Sequence, residues 1–394
     1  MTKHISFPIA IIILFLLITI LSIKINGVKV SNDSFRYLEY AENLREGFYV
    51  ERHNVRYIMY VFFIYIVDFL PNDNLHFAII FFQYLLSGIS LIFLYKGLKI
   101  LFRKEIVATI ACVLCLLFLE FSFWNSYVLC ESLYLSATSI SIYFLIKACR
   151  SPKKINYVFL FSSCLFLAFV KPTGIAFGIA LLIVIIFGLK KITSNLVYGL
   201  MIFGLVLSGF WVINKYLTTY QVIENYQMGE VISGVTTVSH LEGVSYYILD
   251  VPEDLEFLGE NNPPLLRIAH FALHNFSYWL KLSATKMLFF VAHIRPLWSF
   301  VHNVYNGLLL LICYFFFFRS FCNRTISQKI KVFAGSYFLI HLIGVGLTAA
   351  DWDGRFLMPV LPILFAIAAF QIYYDMKCCF KKLRIPYPRL LKSY

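Results

Sequence analysis

The run Ser31-Asn32-Asp33-Ser34 sets a carboxylate at the start of a helical repeat, where a helix N-terminus holds a side chain in one place. A carboxylate fixed there can take the proton of an attacking hydroxyl. It can equally cap the helix, and the run is rich in capping types, so the spacing leaves both roles open. Asp33, Tyr37, Tyr40, Ala41 and Leu44 fall on one helical face and Arg36, Glu39, Asn43 and Glu46 on the other, as expected of a helix lying on a membrane surface. Three cations complement the acid. Arg56 (with Arg52 just before it), Lys171 and Arg355 each stand at the mouth of an apolar run. Such groups near a bilayer need a partner. Arginine suits a bidentate grip on phosphate or carboxylate, and the competing reading for each cation is snorkelling to a lipid headgroup. Glu131 heads a span, where the helix dipole favours an acid. Asp351 and Asp353 precede the last span in what reads as a polar turn with Gly354 as turn residue. Neither carries a metal-site spacing, so no divalent metal is evident.

These residues must be positioned by a mostly apolar chain. Its 394 residues are 60% hydrophobic and only 14% charged, with a mean hydropathy of +0.77. A soluble domain carries roughly 25% charged residues. A disordered chain, a disulfide scaffold and an ordinary cytosolic enzyme are excluded. The expected fold is an all-α polytopic membrane protein. Ten runs are long enough to cross: about 5–23, 75–95, 105–121, 131–147, 155–171, 173–189, 195–217, 301–318, 330–349 and 356–375. No small-residue cleavage site follows the first, so it is expected to stay as an anchor. Tyr57 to Leu70 is too short to cross and is assigned to the surface.

With that assignment the basic residues sort by side. One face, with Lys3, the block from Lys96 to Lys104, later blocks and the tail, carries 21 bases against Glu105 and Asp375; the other carries 13 bases against 19 acids. The faces are +19 and −6, which together give the net +13. Positive charge favours the cytoplasm, so both termini are expected there and the chemistry outside. The organisation that follows is a first transmembrane helix in 1–23, an outer loop with interfacial helices in 24–74, helices 2–7 in 75–217, a long outer loop in 218–300, helices 8–10 in 301–375 and a basic tail in 376–394. Nucleic acid is not an expected partner, because the basic residues sit in short blocks between spans.

The long loop is acidic at first, then amphipathic and basic from Leu265 through Lys281 and Lys286, like an interfacial helix. His240, His270 and His274 read as isolated. Cys112 and Cys115 lie inside an apolar run, where packing outweighs redox or zinc chemistry.

In order along the chain, these features resemble the GT-C glycosyltransferases of the protein-mannosyltransferase and aminoarabinose-transferase type. The matching pieces are Asp33-x-x-x-Tyr37-x-x-x-Ala41, then Asn43-Leu44 followed by Gly47, then Arg56-Tyr57-Ile58-Met59-Tyr60 where relatives tend to read Arg-x-Pro-x-Tyr. Glu131 opens a span, and Lys171-Pro172-x-Gly174 stands where Arg-Pro-x-Gly is usual. Arg295-Pro296-x-Trp298-Ser299 closes the long loop, and Gly354-Arg355-Phe356-x-x-Pro359-x-x-Pro362 matches Arg-Tyr-x-x-Pro-x-x-Pro. Many relatives carry Asp-Glu where this chain has Asp33-Ser34.

The resemblance implies a membrane enzyme that moves a sugar from a polyprenyl-phosphate-linked donor, with inversion, to a cell-envelope glycan, lipid or protein outside the inner membrane. It gives Asp33 the base role, and it gives Arg355, Arg56 and Lys171 the donor phosphate. Tyr37, Tyr60, Glu131, Asp351, Asp353 and Arg295 become candidates for substrate or metal contacts. A transporter or flippase of lipid-linked sugars would need the cations and a lipid groove but no base. A glycan polymerase or ligase would use a lipid-diphosphate donor.

Overall fold

The structure is a computed structural model that describes residues 7–50, 54–70, 74–190, 194–218, 222–240, 243–295 and 297–382. Lys3, Arg52, Lys191, Pro296 and the tail beyond residue 382 lie outside them. The described residues form sixteen α-helices and, apart from three isolated bridges, no β-structure. They are α1 (Phe7–Asn26), α2 (Asn32–Asn43), α3 (Ile58–Asp68), α4 (Leu75–Phe102), α5 (Glu105–Leu117), α6 (Glu120–Phe123), α7 (Cys130–Arg150), α8 (Lys154–Val170), α9 (Ile175–Leu189), α10 (Asn195–Leu217), α11 (Val222–Gln227), α12 (Pro264–His274), α13 (Phe276–Ala292), α14 (Phe300–Ser320), α15 (Gln328–Leu347) and α16 (Leu361–Lys382).

The all-α membrane architecture expected from the sequence is borne out. Among the described residues each of the ten apolar runs is mainly helical, but they are not alike. Among the described residues eight helices are long and apolar enough to cross a bilayer. The run at 105–121 is broken: Phe118 has an extended backbone (φ −78°, ψ 90°), and the chain bends by 67° between Glu105–Leu117 and Glu120–Ser126. Helix α8, at 17 residues, spans only about 25 Å against a ~30 Å hydrocarbon core. Helix α3, with 11 residues, reaches about 16 Å and cannot cross. It buries Tyr60, Val61, Ile64 and Val67 within the first unit instead.

The chain divides into two compact units. The first holds Met1–Gly178, Leu311–Ile326 and Met358–Tyr394, and the second Ile179–Leu310 and Ser327–Leu357. Within the first unit, α4 packs on α7 and α5 on α16. Small residues allow the close approach. A Cβ at Gly97 would stand 3.2 Å from the Tyr143 backbone. Ala108 and Ala111 of α5 and Ala366, Ala368 and Ala369 of α16 are fully buried. Helices α2 and α3 pack together, and α3 also rests on α8. In the second unit α13 packs on α15. A methyl group on Gly346 would strike the Met287 side chain.

Candidate active site

Helix α2 begins as its sequence dictates, with one reassignment. Ser31 is the N-cap, and Ser34 closes a capping box in which the Ser31 backbone N–H donates to Ser34 Oγ at 2.9 Å. The cap role open to Asp33 is therefore taken. Asp33 stands in the first turn, half-buried, and accepts a hydrogen bond from Arg36 Nη2 at 2.6 Å. Tyr37, Tyr40, Ala41 and Leu44 are buried and Glu39, Asn43 and Glu46 exposed, so the two faces read from the sequence are those of the fold. The exception is the Asp33–Arg36 pair, which reaches across them.

Tyr37 is the centre of the first unit's polar network. Its ring lies 5.2 Å from that of Tyr57 and 5.3 Å from that of Tyr60, the latter edge-on. Its hydroxyl meets Cys130 Sγ at 3.9 Å, and the thiol donates to Glu131 Oε2 at 3.5 Å. Burial first, then the nearby Cys130, Tyr57, Glu131 and Asp33, raises the Tyr37 phenol well above its usual pKa. It therefore stays protonated and can donate. Tyr60 donates to Gln83 Oε1 at 2.9 Å, and Gln83 donates in turn to the carbonyls of Asn125 and Tyr127. Cys130 and Gln83 were not singled out from the sequence. Gln83 carries a signal that could have found it, being a polar side chain midway through an apolar run.

Glu131 and Lys171 form a buried ion pair at 2.9 Å. The turn that holds Lys171 depends on its neighbours. Lys171 has an extended backbone after α8, Pro172 starts the next turn with its φ already set, and Gly174 sits against the Leu167 carbonyl. A Cβ on Gly174 would lie 2.1 Å from that oxygen. The Lys-Pro-x-Gly spacing is thus a device for aiming the lysine. Arg56 lies half-buried in the short 3₁₀ turn Asn54–Tyr57 that leads into α3.

The second unit carries the remaining candidates. The segment from Leu347 to Gly354 is held along its length by the long loop. Tyr226 donates to the Leu347 carbonyl, Lys286 to the Thr348 carbonyl at 2.7 Å and Trp352 to the Ser233 carbonyl. Two backbone bonds join Ala350 to Val231 and Ser233. Asp351 is turned inward onto Arg295 at 3.6 Å, both of them buried, so the turn is not merely polar surface. The Arg295 backbone is clasped in both directions by the Asn303 side chain. Gly354 has φ +74°, and a Cβ there would stand 2.0 Å from the His293 ring. Only glycine fits such a position. Asp353 and Arg355 are half-buried on either side of it. Glu230 anchors its own loop by accepting from Gly234 N, Thr236 N and Thr236 Oγ1. His270 and His274 are not isolated as expected: one turn apart on α12, their rings stack at 3.8 Å. Among the described residues no group of three or more His, Cys, Asp or Glu could hold a metal ion.

Lys286 is fully buried beneath the Tyr226 ring, and burial pushes its pKa down to about 7, with Glu230 opposing the fall. Between about pH 7 and 10.5 the unfolded chain therefore holds a proton that the folded chain lacks. Stability rises with pH across that window, by up to about 1.4 kcal/mol per pH unit. Below pH 7 the burial cost is fully present. Lys286→Met is expected to remove this rise, read as a melting temperature in detergent that gains less than wild type between pH 7 and 10.

No curated protein matches the chain significantly in sequence. Among solved structures, the chain is similar to the archaeal oligosaccharyltransferase AglB from Archaeoglobus fulgidus, solved with an inhibitory peptide and a dolichol-phosphate. The identity is 13% and the TM-score 0.48, over 95% of this chain and 51% of AglB, so the chain spans about half the length of that protein. Residues 56–213 match the family described as dolichyl-phosphate-mannose-protein mannosyltransferase. That stretch includes Arg56, Tyr60, Glu131 and Lys171, and over it the resemblance to a GT-C-type glycosyltransferase is borne out.

Proposed function

We propose that the protein transfers a sugar from a polyprenyl-monophosphate-linked donor to a cell-envelope glycan, lipid or protein on the extracytoplasmic face, with both termini in the cytoplasm. The observation that carries this reading is the buried Tyr37 phenol of the first unit, which has Asp33 one helical turn before it and, from distant parts of the chain, Glu131 with its ion-pair partner Lys171. The family match over 56–213 supports it.

Asp33 takes the proton of the acceptor hydroxyl as that oxygen attacks the anomeric carbon. A single base opposite the leaving phosphate gives inversion. Arg56 binds the phosphate as its charge develops, where a preorganised, partly desolvated donor counts for more than in water; Arg355 is given the same task by the sequence resemblance alone. Lys171 is assigned to the same phosphate, with Glu131 as its counter-ion at rest. Tyr37, one turn from Asp33, keeps its proton and can donate beside it, and Tyr60 packs edge-on against the Tyr37 ring. Arg295 and Asp351 position the segment before Arg355 from inside the second unit.

The test is a transfer assay with the full chain in proteoliposomes, a radiolabelled polyprenyl-monophosphate sugar and an envelope acceptor fraction. Label is expected in the acceptor, and Arg355→Ala is expected to lower kcat for transfer by about 10²–10³-fold, the usual cost of removing one donor to developing charge. Translocation of the lipid without transfer, or use of a lipid diphosphate alone, would overturn the reading.

A further inference from the structure

Helices α1 and α4 run antiparallel in the first unit with an apolar groove of about 650 Å³ between them. They touch at Ser22 and at Phe15 of α1. Tyr84 donates to Ser22 Oγ at 2.9 Å, and the Phe15 ring lies over Gly88, so that a Cβ there would come within 2.9 Å of it. The walls are almost wholly hydrocarbon, from Ile23 and Phe77 at one end to Ile92 at the other. The ends differ. Lys96 and Lys99 belong to the groove at one end, whereas the opposite end contributes no cation to its lining. Lys99 is paired with Glu105. Lys96 is exposed and makes no ion pair among the described residues.

We propose that this groove is a binding site for one anionic diacyl phospholipid, its phosphate on Lys96 and Lys99 and an acyl chain along α1 and α4. Length supports this. From Lys99 to Gly88 the groove runs about 16 Å along α4, which is half of a ~30 Å hydrocarbon core and so the reach of a lipid from a single leaflet. At that depth the Phe15 ring crosses Gly88. Charge supports it as well. A lysine near a bilayer surface attracts anionic lipid by about fivefold. The sugar donor is a poorer fit: its phosphate is assigned to residues outside this groove, and its long chain would have to pass the Phe15 ring. The site is independent of the transfer chemistry.

Native mass spectrometry of the full chain in detergent tests it, with phosphatidylglycerol, phosphatidylcholine and a polyprenyl phosphate as probes. One phosphatidylglycerol is expected to be retained per chain, at least about fivefold over phosphatidylcholine. Lys96→Glu is expected to lower that retention about fivefold or more, Lys96→Arg to keep it, and Ile89→Trp, which fills the groove from its lipid-facing side, to abolish it. Equal retention of the two phospholipids overturns the proposal. So does indifference to Lys96→Glu, or a polyprenyl phosphate that displaces phosphatidylglycerol and is itself expelled by Ile89→Trp. The readout is lipid retention, so a chain inactive in sugar transfer still gives the answer.

Discussion

Asp33→Asn is expected to cut sugar transfer by about 10²–10⁴-fold, the usual contribution of a positioned general base, while leaving the melting temperature almost unchanged. The two halves of this prediction come from different parts of the structure. Ser31, not Asp33, caps α2, so the amide removes no cap. The Asp33–Arg36 pair is more than a third exposed on both sides. Exposed pairs of this kind contribute only about 0–1 kcal/mol. Asparagine keeps the size of the side chain and its oxygen. What it loses is the ability to accept a proton. Activity is measured with radiolabelled lipid-linked sugar in membranes, and stability by thermal unfolding in detergent. Retained transfer would remove Asp33 from the reaction, and loss of both signals together would make it a folding residue.

The second large effect is on the fold. Removing one member of the Glu131–Lys171 pair, by Lys171→Met or Glu131→Gln, is expected to destabilise the first unit by about 3–5 kcal/mol. Both groups are buried, and the survivor would be left as an uncompensated charge. The double variant Glu131→Gln/Lys171→Met carries no such charge, and replacing a buried pair as a whole is often neutral. It is expected to recover most of the loss. The double variant also separates two roles of the lysine: stability near wild type with transfer still depressed assigns Lys171 to the donor phosphate, and recovery of both makes the pair purely structural. Single variants as stable as wild type would refute the pairing itself.

How much of this was legible beforehand depended on the distance over which each residue acts. Periodicity is local, so the two faces of α2 and the shortness of α3 could be read from spacing. Gly354 was marked as a turn residue, and its positive φ bears that out. Even locally there was competition: Ser31 and Asp33 are both capping types, and the box closed by Ser34 decided between them. Pairings across the fold left no local trace. Glu131 and Lys171 are 40 residues apart, and each had a sufficient solitary explanation, a helix dipole for one and snorkelling for the other. Asp351 looked like surface because a turn usually is, and only the tertiary fold brings Arg295 to it. Cys130 was invisible for another reason, since a thiol between a phenol and a carboxylate matters only once both are in place.

The clasp on Ala350 has a consequence for how such a chain can change. Its two bonds to Val231 and Ser233 are made by main-chain atoms alone, and main-chain donors and acceptors are common to nearly every residue type. The stretch leading to Arg355 is thus held there by a feature that amino-acid replacement leaves largely intact. Surface positions elsewhere in the loop are free to drift in shape and charge without loosening the hold on that arginine.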